Sequence, residues 1–518
     1  MKKFLENSLI NGHTPIILLL LFVPTFFIRY FFADAQIIAP DGLLYIKIAK
    51  SISSGNLQDI TEFGFFNLYS FFIALFQMFL HNWEFSGKMV SVVFGSLTMV
   101  PLFLLIRGMF NTKVAVVSTL FYMVHPRFVE YSSDVLREPT FWFFSITALW
   151  LAREGISRKK YLPFILSSLA TGFAMFTRVE GALVFLIVIL WILWSFLKDI
   201  KNRKKGIIYT CIFVFSLPIL MSPSLLILKN KINRWELGHS IDKIPQLIHS
   251  NTQPSELEPG LLDKTSGQFH AFLDLSKRHR YTTFIMEIIY KFIKSFNVAL
   301  FFLFLCGIYK RKYIAYTKSD AMIFIWFSVM FLALFLYLTK VYYISTRHGL
   351  LMVIPVLAWA GVGFFEIRER MRGWLSDVKL LQNHPRLDTV LLFVLILIVL
   401  VPQTVSSYRS DKVELKKAGI VLKNMGFSQS VFIVQPSLSR VAFYADAEPV
   451  QLPKEIDYDR IRAFTSKNHA ALFIIDDRTV DDFAPGLKKI IAQCMFKKLA
   501  IPEMEQYREY SFSIYQVK

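Results

Sequence analysis

The sequence predicts a polytopic α-helical membrane protein carrying a small C-terminal α/β domain. Three observations carry this. The 518 residues are 54% hydrophobic and 16% aromatic, with a mean hydropathy of +0.45, against about 45–50% apolar in soluble domains. Apolar runs of membrane-span length recur from Pro15 to Val405. Lys and Arg collect in alternate short loops between those runs, as on the cytoplasmic side of a bilayer.

Eleven spans are expected, near residues 15–33, 88–106, 114–128, 139–152, 161–176, 181–197, 207–228, 283–308, 320–339, 349–365 and 388–405. The start, Met1-Lys2-Lys3, and the later Ala33-Asp34-Ala35 resemble signal-peptide features. The intervening run is long and contains Pro24 and Arg29, so a retained anchor is expected. With the N-terminus in the cytoplasm, the inside loops hold Arg107 and Lys113, then Arg153, Arg158, Lys159 and Lys160, then Lys198 to Lys205. Lys310 to Lys318 and Arg368 to Arg386 follow. The opposite short loops carry only Arg137, Arg178, Lys340 and Arg347 as basic residues. This pattern holds if Phe65–Leu80 does not cross, since a crossing there would invert every later loop. That stretch is therefore expected to be an interfacial helix within a first external loop at 34–87.

Residues 1–405 are expected to form the transmembrane catalytic domain, with a second large external loop at 229–282, and 406–518 the extracytoplasmic α/β domain. In the tail, Val431–Val434, Ala471–Ile475 and Tyr510–Val517 read as strands. Helical patterns at Lys412–Met425, Ile456–Lys467 and Phe483–Gln493 lie beside them.

The net charge of +20 sits in the short loops, which explains it without nucleic acid, and none is expected as a partner. Three cysteines build no disulfide framework; Cys211 and Cys306 lie in apolar runs and only Cys494 in a polar one. No Gly-rich phosphate loop, CxxC, HExxH or GxSxG element is present. No cofactor is called for, and a divalent metal is compatible with the acids present but not supported. His125-Pro126 inside an apolar run reads as a kink rather than a ligand.

The expected external face gathers ionisable groups at span ends: Asp41 and Glu62 in the first loop, Glu130, Asp134, Arg137 and Glu138 in the second, and Arg178 and Glu180 in the third. Lys340, Tyr343, Arg347 and His348 belong to a later one. Ionisable groups at membrane depth are costly and usually face a protein cavity. Arginine's planar fork suits phosphate oxygens, and a neighbouring carboxylate suits general-base work. Each also has a local reading: Arg137–Glu138 and Arg178–Glu180 as ion pairs, and Asp41 as N-cap of a helix Gly42–Ser53. Their shared sidedness favours a site.

The order of motifs resembles a known family. It comprises Asp41 with Tyr45 and Ala49, Ser54-Gly55-Asn56, Ser133 with Arg137-Glu138, Thr177-Arg178-Val179-Glu180-Gly181, Ser345-Thr346-Arg347-His348 with Pro355, and Arg440–Ala445. It is similar to the dolichyl-phosphate-mannose–protein mannosyltransferase-like superfamily, which includes the lipid A aminoarabinose transferases and has the GT-C membrane fold. The resemblance implies inverting transfer of a sugar from a polyprenyl-phosphate-linked donor to a protein, lipid or glycan acceptor on the extracytoplasmic face. It implies Asp41 as general base, Glu138 as an acid orienting acceptor or sugar, and Arg178 and Arg347 at the donor phosphate. Arg137, Lys340 and His348 are expected beside that phosphate, and Tyr45, Glu62, Asp134, Glu180 and Tyr343 beside the substrates. Two departures stand out: Gly42 replaces a second acid after Asp41, and His348 replaces a Tyr after Arg347. An oligosaccharide transferase or ligase is the alternative, though the WWDYG motif is absent. A lipid or solute transporter is a third reading; the chain shows no repeat of the kind transporters carry.

Overall fold

A computed structural model describes residues 14–56, 67–197, 203–229, 278–311, 318–374, 387–406, 413–453, 458–480, 487–493, 496–499 and 512–517. Glu62 and nearly all of the loop expected at 229–282 lie outside these residues. The chain divides into two compact units, one of Met1–Asp34 with Ile46–Ser407 and one of Ala35–Tyr45 with Tyr408–Lys518. The sequence placed 35–45 with the spans; the structure groups this short segment, which contains Asp41, with the C-terminal residues.

The first unit is helical. Its elements are α1 (Thr14–Ala35), α2 (Pro40–Ser54, whose first residues belong to the second unit), α3 (Leu68–Leu80), α4 (Trp83–Leu97), α5 (Met99–Met109), α6 (Thr112–Val124) and α7 (Pro126–Ser132). Next come α8 (Glu138–Arg158), α9 (Leu162–Thr177), α10 (Gly181–Leu197), α11 (Arg203–Lys229), α12 (Arg280–Phe296) and α13 (Val298–Arg311). The series ends with α14 (Lys318–Val341), α15 (Thr346–Val353), α16 (Leu357–Trp374) and α17 (Leu387–Ser406). Asparagines start three of them. The side chains of Asn67, Asn82 and Asn111 accept from the N–H of Ser70, Phe85 and Val114 at 2.8, 2.9 and 3.0 Å, satisfying donors that a helix start leaves orphaned.

Among the described residues five helical stretches are long and apolar enough to cross a membrane: Thr14–Asp34, Trp83–Met109, Arg203–Ser222, Ala321–Val341 and Leu387–Val405. Two bent pairs raise this to as many as seven. Several of the other expected spans correspond to shorter apolar helices such as Thr112–Val124, Leu162–Thr177 and Gly181–Phe196. Helix α3, at 13 residues, is shorter than the roughly 20 residues a straight crossing needs.

Three expected spans are broken rather than continuous. The span at 283–308 is α12 and α13 meeting at 104°, with Asn297 between them at φ 70° and ψ 135°. The span at 349–365 is α15 and α16 meeting at 67° across a turn containing Pro355. The span at 114–128 breaks at His125, whose extended backbone separates α6 from α7. Pro126, lacking an N–H, cannot continue the ladder. Close approaches fix other crossings. A Cβ on Gly363 would fall 1.8 Å from Leu303 O, and one on Gly307 1.9 Å from Trp359 O, so α13 and α16 meet backbone to backbone as small residues permit.

The second unit contains a five-stranded sheet of β1 (Val431–Val434), β2 (Glu448–Gln451), β3 (Ala470–Asp476), β4 (Lys497–Lys498) and β5 (Phe512–Gln516). The strand order is β2-β1-β3-β5-β4. β1 runs parallel to β2 and β3, while β5 is antiparallel to β3 and β4. Helices α18 (Val413–Leu422) and α19 (Ser439–Tyr444) cover one face through Leu415, Leu422 and Val441 against Phe432, Leu472 and Ile514. Helices α20 (Tyr458–Lys467) and α21 (Leu487–Gln493) cover the other through Ile461, Leu487 and Ile491 against Ile433, Phe473 and Ile475. Burial on both faces makes the central strands uniformly apolar.

Candidate active site

The first unit brings charged side chains together from three helix ends. Glu138 opens α8, ahead of Pro139 in the first turn, where a carboxylate complements the helix dipole. Its residue is only 1% exposed. Arg178 ends α9 in an extended conformation, its N–H donating to Ala174 O. The chain then turns sharply, with Gly181 N–H donating to Arg178 O at 2.9 Å. A Cβ on Gly181 would fall 2.4 Å from Met175 N, so only glycine lets Glu180 fold back beside Arg178. Arg347 stands in the first turn of α15.

The guanidinium of Arg178 joins the two acids. Its Nη1 donates to Glu138 Oε1 at 2.5 Å, its Nη2 to Glu180 Oε1 at 2.5 Å and its Nε to Glu180 Oε2 at 3.1 Å. All three nitrogens are thus directed at carboxylates. Arg347 Nη1 approaches the same Glu138 Oε1 at 3.4 Å, with its side chain 33% exposed. Glu138 Oε2 is buried and has no hydrogen-bond partner among the described residues. Burial alone would raise the Glu180 carboxyl. The charge and hydrogen bonds of Arg178, with Arg137 behind them, more than offset this and hold it at about 2. Two guanidiniums, those of Arg178 and Arg347, thus meet two carboxylates, those of Glu138 and Glu180.

The other sequence candidates are distributed around this core. Arg137 Nη1 donates to Thr177 O at 3.4 Å, tying the start of α8 to the end of α9. Asp134 is buried, and its Oδ1 accepts from the next N–H, that of Val135, at 2.7 Å, which serves the local turn. The Nδ1 of His348 lies 3.2 Å from Ser345 N and 3.0 Å from Ser345 Oγ, and the ring packs 5.6 Å from that of Tyr337. His348 therefore closes a capping box on α15. Lys340 lies in the last turn of α14 and makes no ion pair among the described residues, and Tyr343 is 64% exposed. Neither joins the ion cluster.

Sequence reasoning missed Tyr131 and Tyr337. Burial first, then the charge of Glu130, pushes the Tyr131 phenol up to about 12. Glu138 and Arg347 also act on it. Glu130 is itself paired with Arg127 at 2.7 Å. Its place beside Glu130 was the available signal for Tyr131; Tyr337 lies inside an apolar run that offered none.

Asp41 belongs to the second unit. It stands in the first turn of α2, which begins at Pro40 rather than at Gly42, so it lies within that turn instead of capping it. The segment before it is held by Ile38 N–H donating to Tyr444 Oη at 3.1 Å, with Ile37, Ile38 and Tyr45 buried. Arg440, of the same helix as Tyr444, is 5% exposed.

Among the described residues no group of three or more His, Cys, Asp or Glu gathers to hold a metal ion. Residues 67–225 match the family model for dolichyl-phosphate-mannose-protein mannosyltransferase. No curated protein matches the chain by sequence. The fold is similar to that of ArnT from Cupriavidus metallidurans in the apo state, with 12% identity, a TM-score of 0.62 and coverage of 98% of each chain. The same protein bound to undecaprenyl phosphate gives 11% identity, a TM-score of 0.60, and coverage of 96% of this chain and 98% of that one. An oligosaccharyltransferase from Archaeoglobus fulgidus in complex with Zn and sulfate gives 11% identity, a TM-score of 0.54, and coverage of 93% and 71%. The chain thus resembles the superfamily expected from its motifs, in sequence over 67–225 and in fold over nearly its whole length.

Proposed function

We propose that this chain is a GT-C membrane glycosyltransferase that moves a sugar from a polyprenyl-phosphate-linked donor to an acceptor on the extracytoplasmic face. The observation that carries the reading is a coincidence of place. The segment matching the mannosyltransferase family model contains Glu138, Arg178 and Glu180, the residues that build the charged cluster. The ArnT structure whose fold the chain shares was solved with undecaprenyl phosphate, which supports the same donor chemistry here.

In the proposed reaction the acceptor hydroxyl or amine attacks the anomeric carbon from the face opposite the phosphate. Asp41 takes the acceptor proton, the bond from carbon to phosphate oxygen breaks, and the polyprenyl phosphate leaves with its electron pair. The configuration inverts. Positive charge preorganised beside a developing anion lowers such a barrier most. Arg347, whose side chain is one-third exposed at the edge of the cluster, is the residue for that anion. Arg178 is assigned differently: with its three nitrogens on carboxylates, it organises Glu138 and Glu180. The open acceptor at Glu138 Oε2 suits a hydroxyl or ammonium of the sugar or acceptor. The topology that goes with this places the N-terminus in the cytoplasm and the sheet-containing unit outside.

The test is turnover. The full chain in nanodiscs, given undecaprenyl-phosphate-linked sugars and a membrane extract as acceptor source, should release undecaprenyl phosphate detectable by mass spectrometry. Asp41→Asn should abolish release while leaving a folded, inserted protein. An Asp41→Asn protein of unchanged activity would remove the base assignment, and no release with any donor from the parent protein would remove the reaction.

A further inference from the structure

Two helix breaks in the first unit face each other, and His125 joins them. At the first, between α6 and α7, the carbonyls of Tyr122 and Met123 lose their helical donors. Pro126 has no N–H, and the Arg127 N–H turns instead to His125 Nδ1 at 3.2 Å. The buried Arg29 of α1 takes over: its Nη2 donates to Tyr122 O and its Nη1 to Met123 O, each at 3.4 Å. The hydroxyl of Thr404, in α17, lies 3.2 Å from the next carbonyl, that of Val124, and 3.0 Å from Leu400 O, and its one hydrogen serves either. The guanidinium also sits at the negative end of the α6 dipole.

The second break lies between α12 and α13. Asn297 Nδ2 donates to Gln403 Oε1 at 2.5 Å, one residue from the Thr404 that lies at the first break. Across the gap His125 Nε2 lies 3.2 Å from Phe296 O. The tautomer follows from the partners. An amide N–H only donates, so Nδ1 accepts from Arg127; a carbonyl only accepts, so Nε2 carries the hydrogen. One neutral imidazole thus satisfies both breaks.

Each break leads to the candidate site. From the first, α7 runs to Ser133, whose Oγ has both Arg29 O at 2.9 Å and Val129 O at 2.8 Å as acceptors for its one hydrogen, and on to Glu138. From the second, Ser295 Oγ donates to Thr346 O at 2.8 Å, one residue before Arg347. A Cβ on Gly349 would fall 2.4 Å from Ser295 Oγ, so the two helices meet closely there. The two arms converge where Arg347 reaches Glu138.

We propose that His125 is a positioning residue for the candidate site: by bridging the two helix breaks it sets the arm carrying Glu138 against the arm carrying Arg347. The bridge stands on geometry alone; its bearing on ligand binding rests on the function proposed above.

His125→Asn separates the two bonds. Asparagine is among the best helix N-caps and keeps the acceptor for the Arg127 N–H, but is too short to reach Phe296 O. In the full chain in nanodiscs, amide hydrogen exchange across α15 should rise about tenfold, the loss expected for one buried hydrogen bond, while α7 stays protected. Undecaprenyl phosphate binding should weaken in parallel. Ser295→Ala cuts the next link by removing one hydroxyl and should loosen α15 in the same way, so it decides the matter if His125→Asn does not fold. Unchanged α15 exchange in Ser295→Ala and in any folded His125→Asn protein, or uniform loosening throughout the chain, overturns the proposal. Failure of the parent protein to bind undecaprenyl phosphate would count against the proposed reaction, while the exchange data would still decide the bridge.

Discussion

Replacing Arg178 by alanine removes the group on which a buried acid, Glu138, and a partly buried one, Glu180, depend. The side chains of Arg178, Glu138 and Glu180 are 8, 2 and 20% exposed, and three hydrogen bonds disappear together. Removing one partner of a buried pair typically costs about 3–5 kcal/mol, because the other charge is left unmatched. Linkage gives a second, independent figure. The Glu180 carboxyl is held at about 2 against an ordinary value of 4.5, a difference corresponding to roughly 3 kcal/mol. Because the folded-state value is depressed, this stabilisation is fully present above 4.5 and is lost as pH falls through 2. Arg178→Ala should therefore unfold more readily than the parent by about 3–5 kcal/mol at pH 7, with the gap narrowing between pH 4.5 and 2. Detergent-solubilised protein unfolded in denaturant at several pH values, followed by tryptophan fluorescence, measures this. A second variant isolates the charge. Glu138→Gln combined with Arg178→Met removes a charge of each sign at similar volume, and should recover part of the loss. An Arg178→Ala protein within about 1 kcal/mol of the parent at pH 7, or a gap independent of pH, would refute the assignment of Arg178 as organiser.

Three further outcomes are expected. Arg347→Ala should weaken binding of undecaprenyl phosphate roughly 10- to 100-fold, as for loss of a charge-assisted bond, with little effect on acceptor affinity; equal losses on both sides would argue against a donor-phosphate role. Gly363→Ala should destabilise by about 1–3 kcal/mol through overpacking, since its Cβ meets Leu303 O at 1.8 Å; unchanged thermal stability would argue against a backbone-to-backbone contact of α13 with α16. Ser437, exposed in the second unit, should react as Ser437→Cys with an impermeant maleimide added outside intact cells, and labelling only after lysis would reverse the proposed topology.

How far the sequence foretells this structure depends on the range of the interaction that shapes each element. Strands Val431–Val434 and Ala470–Asp476 are legible because burial on both faces makes them continuous apolar runs. The edge strand Glu448–Gln451 is not: it is exposed except at Val450 and holds Pro449, so only pairing with Val431–Val434 reveals it. Pro126 announces its break through a missing donor. The break at Asn297 is hidden, because its immediate neighbours Phe296 and Val298 are apolar and the bend is held by tertiary partners, Phe296 O by His125 and Asn297 by Gln403.

The same distinction governs the site. Arg178 and Glu180 are two residues apart and readable as a pair. The bonds from Glu138 to Arg178 and Arg347, spanning 40 and 209 residues, are not readable as contacts. They are nevertheless constrained. A charge withdrawn from water between apolar helices must find a partner of opposite sign or forgo its charge. Ionisable residues at the same ends of several apolar helices therefore have few stable arrangements other than a shared cluster. Sidedness selected Glu138, Arg178 and Arg347 for this reason; Lys340, half-buried, and Tyr343, exposed just past the end of α14, are long or amphipathic enough to stay outside the ion cluster. What sidedness cannot supply is the division of labour within the cluster. In the proposed function it is drawn from burial: the guanidinium at 8% exposure is engaged by two carboxylates, while the one at 33% is the more accessible.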